Sequence, residues 1–293
     1  MAVEAQTPAW LQANVGTGDG QIAPVVLERA RALYLKKKAD GTVKNPCYFA
    51  MDATKAADMG GGHRFYVICE AAQTFRALAV GHGSGRNLKG VKNFSNGRSC
   101  VKNFGNALDS NLTMGGSYIT RETKTSFKGY YRSSLKQLTA FQRTFIQFDG
   151  EGEAALSRKR EIGGHPSALL RAVCMRKMPD SHFADKDGMV PFGKLIDYSG
   201  GRSNGCTSWT PSDAREIIPK LKGDPATLYI YPESKDIEAV NKKEAGAYWN
   251  AACLKQIGAP KFWSNSVLGP IIAQYEADNP VKPAGPLPVC KGP

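Results

Sequence analysis

Gly200-Gly201-Arg202-Ser203-Asn204-Gly205-Cys206, closely followed by Thr210-Pro211-Ser212-Asp213, is the stretch on which the reading of this chain turns. A thiol ends a glycine-rich turn, and a helix begins a few residues later. Thr at the N-cap and Pro at the first helical position are paired start signals, which predicts a helix running to about Leu221. Cysteine chemistry needs the thiolate, and a nearby helix N-terminus or cation lowers the thiol pKa. Gly205 admits backbone N–H groups close to a reacting carbonyl, as an oxyanion hole requires. Arg202 suits a forked pair with a substrate carboxylate. The competing reading is a buried structural cysteine behind a turn.

Moving outward, the middle of the chain reads as β-rich. Segments 48–51, 64–69, 74–80, 117–120, 144–148, 170–175 and 227–231 carry β-branched and aromatic residues between Gly-, Asn- and Ser-rich loops. Residues 86–111 have little apolar pattern and read as one long loop. Val26, Ala30 and Leu33, with Leu27 and Tyr34, give residues 21–38 an amphipathic helical pattern. Pro24 fits that helix's first turn, and Lys36, Lys37 and Lys38 suit its C-terminus. Two further helices are expected over 242–257 and 264–277. Pro280, Pro283, Pro286, Pro288 and Pro293 make an extended tail.

Several strings resemble, in order, the murein L,D-transpeptidase catalytic domain family of L,D-transpeptidases. Gly201 to Cys206 is similar to its nucleophile motif. Met51-Asp52-Ala53-Thr54-Lys55 and His63-Arg64-Phe65-Tyr66-Val67-Ile68 resemble its early strands. Ala79-Val80-Gly81-His82-Gly83-Ser84-Gly85 resembles a His-Gly loop, and Leu228-Tyr229-Ile230-Tyr231 its closing strand. The resemblance implies a β-rich α+β fold: a partly closed β-sheet or barrel core with helical N- and C-terminal extensions. The expected divisions are residues 1–44, with the amphipathic helix; 45–235, the catalytic domain; and 236–293, a helical extension with the Pro-rich tail.

The resemblance also implies a cysteine nucleophile, Cys206, assisted by a histidine. The thiolate would attack the carbonyl before a D-alanine in a peptidoglycan stem tetrapeptide, leaving a thioester for an amine or water to resolve. Transpeptidation, D-amino-acid exchange and L,D-carboxypeptidase trimming all follow from that intermediate. Gly205, Ser203, Arg202, Asn204 and His82 would contact substrate or the oxyanion. The chain has four histidines: His63, His82, His165 and His182. His182, 24 positions before Cys206 (206 − 182), fits the family's spacing, although Phe183 stands where the family has glycine. His165, in Gly163-Gly164-His165-Pro166, is the rival, and His82 the third choice. Trp209 and Tyr198 flank the nucleophile, with buried packing the favoured role for both.

Composition bounds the rest. The chain has 293 residues and a net charge of +13, which favours anionic partners without choosing among them. The basic residues form no stripe interleaved with aromatics, so nucleic acid is not expected. No apolar run of about 20 residues is present, so no membrane span is expected. Seven cysteines without a CxxC pair argue against zinc and allow up to three disulfides plus one thiol. No metal or organic cofactor is implied. Disulfides would place the protein in the periplasm or outside the cell. The first 20 residues do not read as a signal peptide. That also suits an antibacterial effector delivered into a rival periplasm, with an immunity protein as partner. Two other classes remain open: a cysteine peptidase of another kind, and a non-catalytic binder of acidic polymer.

Overall fold

Strands β1 (Cys47–Asp52) and β12 (Thr227–Tyr231) are buried at every position. Strands without a polar face need cover on both sides. They pair in parallel, Phe49 opposite Leu228. The computed structural model describes residues 7–57, 62–199, 202–281 and 285–291. Gly200, Gly201, Pro283 and Pro293 lie outside the described residues.

From β1 the sheet continues antiparallel through β2 (His63–Cys69) and β3 (Thr74–Gly83) to the short β11 (Thr207–Trp209). β11 pairs in parallel with β7 (Gly163–Pro166). β7 then pairs antiparallel with β6 (Leu138–Gly150), and β6 with β5 (Gly116–Arg132). β5 returns to β12, Tyr118 opposite Leu228, and closes the ring. The result is a closed barrel of eight strands with two parallel seams. The expectation of a β-rich α+β core thus holds, and the core is closed rather than partly closed.

Phe49, Phe65, Val80, Ile146, Phe148 and Trp209 fill one buried cluster. Ala214, Ile217 and Leu221 of helix α2 (Pro211–Leu221) join it, and Thr210 caps that helix by accepting the Asp213 N–H at 3.1 Å. On the opposite face, helix α1 (Pro24–Ala39) lays Val26, Leu27 and Ala30 over Tyr48, Tyr66 and Tyr229. Arg29 holds it there through Asp236 at 2.7 Å, and Arg31 through Glu70 at 2.7 Å.

β5 and β6 run well past the barrel. The residues 117–120 and 144–148 read as strands are only their inner ends. Alongside the outer half of β5 lies a hairpin of β8 (Ala168–Lys177) and β9 (Met189–Asp197), with β9 parallel to β5 at Tyr130 and Tyr131. These four strands form a projecting platform. Helix α3 (Ser234–Asn241) follows β12, and the single helix expected over 242–257 is instead the short α4 (Ala251–Ile257), begun by Asn250 capping Cys253 N–H. Gly246, at φ 80°, turns the chain just before it. Helix α5 (Asn265–Asp278) follows. The 86–111 stretch is loop apart from β4 (Asn103–Gly105), which pairs with β13 (Lys261–Trp263).

Disulfides join Cys47 to Cys69, Cys100 to Cys253 and Cys174 to Cys290. The first links β1 to β2, the second ties the long loop to α4, and the third staples the tail to β8. Three such bonds fit an oxidising, extracytoplasmic setting. Among the described residues, no helix is long and apolar enough to cross a membrane.

Cys100–Cys253 closes a loop of 153 positions, so its removal frees the unfolded chain most. Replacing both cysteines by alanine should lower stability by roughly 3–5 kcal/mol, read as a lower urea midpoint. An unchanged midpoint would show that this bond does not restrain the fold.

Candidate active site

Cys206 stands at the start of β11, between that strand and the two-residue β10 (Arg202–Ser203). The turn is held from within. Ser203 Oγ donates to the Cys206 carbonyl at 2.5 Å and accepts the Gly205 N–H at 3.2 Å. Gly205 has φ 108°, and a Cβ there would sit 2.9 Å from Ile162 Cδ1 and Leu112 O. Glycine is therefore required by backbone shape and crowding. Its own N–H is already engaged by Ser203. Ser84 N–H donates to Ser203 O at 2.7 Å, and Arg202 donates to Asn96 O at 2.9 Å. These bonds fix the turn to the end of β3.

The other side of the site comes from β7. Parallel pairing sets Thr207 opposite Gly164 and Ser208 opposite His165. Gly163 directs its N–H at the sulfur. The thiol donates to the Glu161 carbonyl at 3.5 Å. Glu161 has φ 50°, a left-handed conformation rare outside glycine. Gly164 lies under the Trp209 ring, and any side chain at that position would overlap the ring.

Cys206 and His165 line one open cleft of about 800 Å³. Cys206 is partly exposed and has no disulfide partner, alone in this among the cysteines of the described residues. The His165 Nδ1 lies 2.9 Å from the Pro166 carbonyl, and Phe145 stacks on the ring with centroids 6.4 Å apart. A carbonyl can only accept, so Nδ1 carries the proton and Nε2 keeps its lone pair. Burial lowers the His165 pKa to about 4, against the pull of the Pro166 carbonyl. Burial also pushes the Cys206 thiol up, while Gly163 N–H, Arg160 and Arg143 act in the opposite direction. At neutral pH the resting pair is therefore an uncharged thiol and an uncharged imidazole.

His182 is placed elsewhere. It is exposed in the β8–β9 loop, its ring 3.9 Å from that of Phe183. Neighbouring Ser181 bonds Tyr130, which is opposite Ala140, whereas the sulfur's neighbour Gly164 is opposite Ile146. Six residues of strand separate those points, about 20 Å. His182 therefore does not line the cleft that holds Cys206, whereas its rival His165 does.

His82 is fully buried, opposite Arg202 in the β10–β3 pairing, and does not line the cleft. Its Nδ1 lies 3.0 Å from Gly83 O, and burial takes its pKa down to about 3. Contact between His82 and substrate is therefore not supported. Arg202, Ser203 and Asn204 do line the cleft, as does Tyr198, while Trp209 is core. His63 pairs with Asp19 at 2.9 Å, away from the cleft. Sequence reasoning missed Gly163, Arg143, Arg160 and Arg171. The glycine pair before His165, a mark of close backbone approach, was the one available signal. Among the described residues no His, Cys, Asp and Glu cluster could hold a metal.

An uncharged pair predicts how the thiol responds to pH. The rate of Cys206 alkylation by iodoacetamide should climb to a midpoint above the ordinary thiol value of about 8.5. A plateau persisting through acidic pH would instead mean a standing thiolate–imidazolium pair.

Neither family models, nor curated proteins, nor solved structures give a match to this chain.

Proposed function

We propose that this protein is a cysteine acyltransferase of the L,D-transpeptidase kind acting on peptidoglycan stem tetrapeptides, with Cys206 as nucleophile and His165 as general base. The observation that carries this reading is the meeting, in one open cleft, of the unpaired thiol with an imidazole whose Nδ1 is anchored. The motif strings that resemble the family supply the substrate class.

The resting charges set the order of events. As the sulfur attacks the scissile carbonyl, Nε2 of His165 takes the thiol proton. The bond to Pro166 holds the ring in the tautomer that can do so. Gly163 N–H, Arg160 and Arg143 favour negative charge on the sulfur and so stabilise it as it forms. Collapse of the tetrahedral intermediate expels D-alanine, whose amine takes the proton back from His165, and leaves a thioester on Cys206. An acceptor amine then gives a cross-link or an exchanged D-amino acid. Water gives the tripeptide. General acid–base assistance of this kind is worth about 10²–10⁴ in rate.

The test uses a purified disaccharide-tetrapeptide with mass spectrometry of the products. Cys206→Ala should abolish processing. His165→Ala should lower the rate by about 10²–10⁴, and His182→Ala should change it less than about twofold. Processing by Cys206→Ala would refute the proposal, and a His182→Ala loss as large as that of His165→Ala would return the base to His182. Because the base is neutral above its pKa, kcat/KM should fall as pH drops through about 4. A carbapenem-type acylating agent should add its mass to the wild-type chain and not to Cys206→Ala.

A further inference from the structure

Cations crowd the cleft, and Arg143 and Arg160, which favour charge on the sulfur, are only two of them. Lys124, Arg143, Arg160, Arg171 and Arg202 line it, against two carboxylates, Asp109 and Glu161. Several arginines away from the cleft are held in ion pairs, Arg29 with Asp236, Arg31 with Glu70 and Arg158 with Glu122. Among the described residues, none of the four cleft arginines has such a pair. Arg160 donates to the carbonyls of Gly105 and Leu112 at 2.9 and 2.6 Å, and to Ser110 Oγ at 3.3 Å. Those neutral partners orient the guanidinium, and Asp109 acts on its charge only through space, without an ion pair. Arg143 donates to Ser126 Oγ at 2.9 Å, with longer contacts to Tyr198 and the Ala168 carbonyl. Arg171 is exposed at the cleft edge.

The imbalance extends onto the platform. Residues 124–143 hold five Lys and Arg and no Asp or Glu, and residues 168–177 hold three and none. A ligand that enters between Cys206 and the facing stretches of β5, β6 and β8 meets a surplus of positive charge.

We propose that this wall selects stem peptides bearing free carboxylates over their amidated counterparts, with Arg143 and Arg171 as specificity-determining residues. The inference rests on the reading of Cys206 as the acylation site for such peptides. A carboxylate compensates a guanidinium without displacing an existing partner, and the planar fork favours a two-oxygen acceptor. An amide of the same shape is neutral, offers one acceptor, and presents N–H groups to a donor-only surface. The discrimination therefore falls on binding of the whole donor, and appears in kcat/KM.

The experiment compares kcat/KM for a disaccharide-tetrapeptide with free carboxylates and for the same molecule with them amidated. The free form should be preferred by about tenfold or more. The preference should fall toward unity in Arg143→Gln/Arg171→Gln and return in Arg143→Lys/Arg171→Lys, with unchanged melting midpoints showing that each variant is folded. Equal kcat/KM for the two peptides, or a preference that survives the glutamine variant, overturns the inference. Where neither peptide turns over, alkylation of Cys206 by iodoacetate and iodoacetamide decides. A rate ratio shifted toward iodoacetate by about tenfold relative to free cysteine, and lost in the glutamine variant, supports the anion-selective wall while counting against the stem-peptide reading. A ratio equal to that of free cysteine overturns the wall itself.

Discussion

The parallel pairing of β11 with β7 is the contact on which the site depends. It is short, Thr207–Trp209 against Gly164–Pro166, and it does two jobs. It closes one seam of the barrel, and it sets the sulfur of Cys206 beside Gly163 and the ring of His165 in the same cleft. What makes so short a seam stable is the Trp209 ring, fully buried and lying on Gly164 where no side chain fits. An indole seated on bare backbone also meets Phe65 edge-on, with centroids 5.6 Å apart. The seam is thus part of the core, and the geometry of the thiol follows from packing rather than from loop conformation.

Parallel neighbours cannot be joined by a tight turn, so the chain between β7 and β11 must make an excursion. Here the excursion is the β8–β9 hairpin, which leaves the barrel and lies beside β5. The same connection that allows the seam therefore supplies one wall of the cleft, with Leu169, Arg171 and Tyr198. Cys174–Cys290 and the Pro288 carbonyl, which accepts the Met175 N–H at 2.7 Å, cover the outer edge of β8 with the tail. An edge strand so covered does not offer its backbone to other chains.

This topology explains what the sequence made legible. Helix α2 and the strands β1, β2, β3 and β12 were readable because cap signals and continuous apolar runs are local. β7 was not: Gly163-Gly164-His165-Pro166 has no strand propensity, and forms a strand only because Trp209 and Ile146 need it there. β5 and β6 were read short because their outer halves are polar and half-exposed, with no core to impose a pattern. The choice of His182 from spacing has the same origin. Counting positions back from Cys206 passes through the whole β8–β9 hairpin. His182 is nearer in sequence because it sits in that excursion, while His165 is farther in sequence and one strand away in space. At Gly205 a positive φ and a tight fit against Ile162 and Leu112 are tertiary facts that no local pattern carries.

The electrostatics of the cleft follow from burial acting against charge. Desolvation keeps the thiol protonated and the imidazole neutral, and each effect alone would make a poor nucleophile and a weak base. The cleft arginines change the meaning of that state. They cannot ionise the thiol at rest, because its proton is held by the Glu161 carbonyl and the sulfur is poorly solvated. They do favour any arrangement in which negative charge has entered the cleft or is developing on the sulfur. A carboxylate-bearing ligand would offset part of that field and expel water, and on the proposed reading the thiol would ionise as His165 takes its proton. A site of this kind protects its sulfur from adventitious oxidation, which follows thiolate character, and an oxidising compartment is where such protection matters most. The neutral resting state of thiol and imidazole fits an oxidising setting, in which one free cysteine stands beside three disulfides.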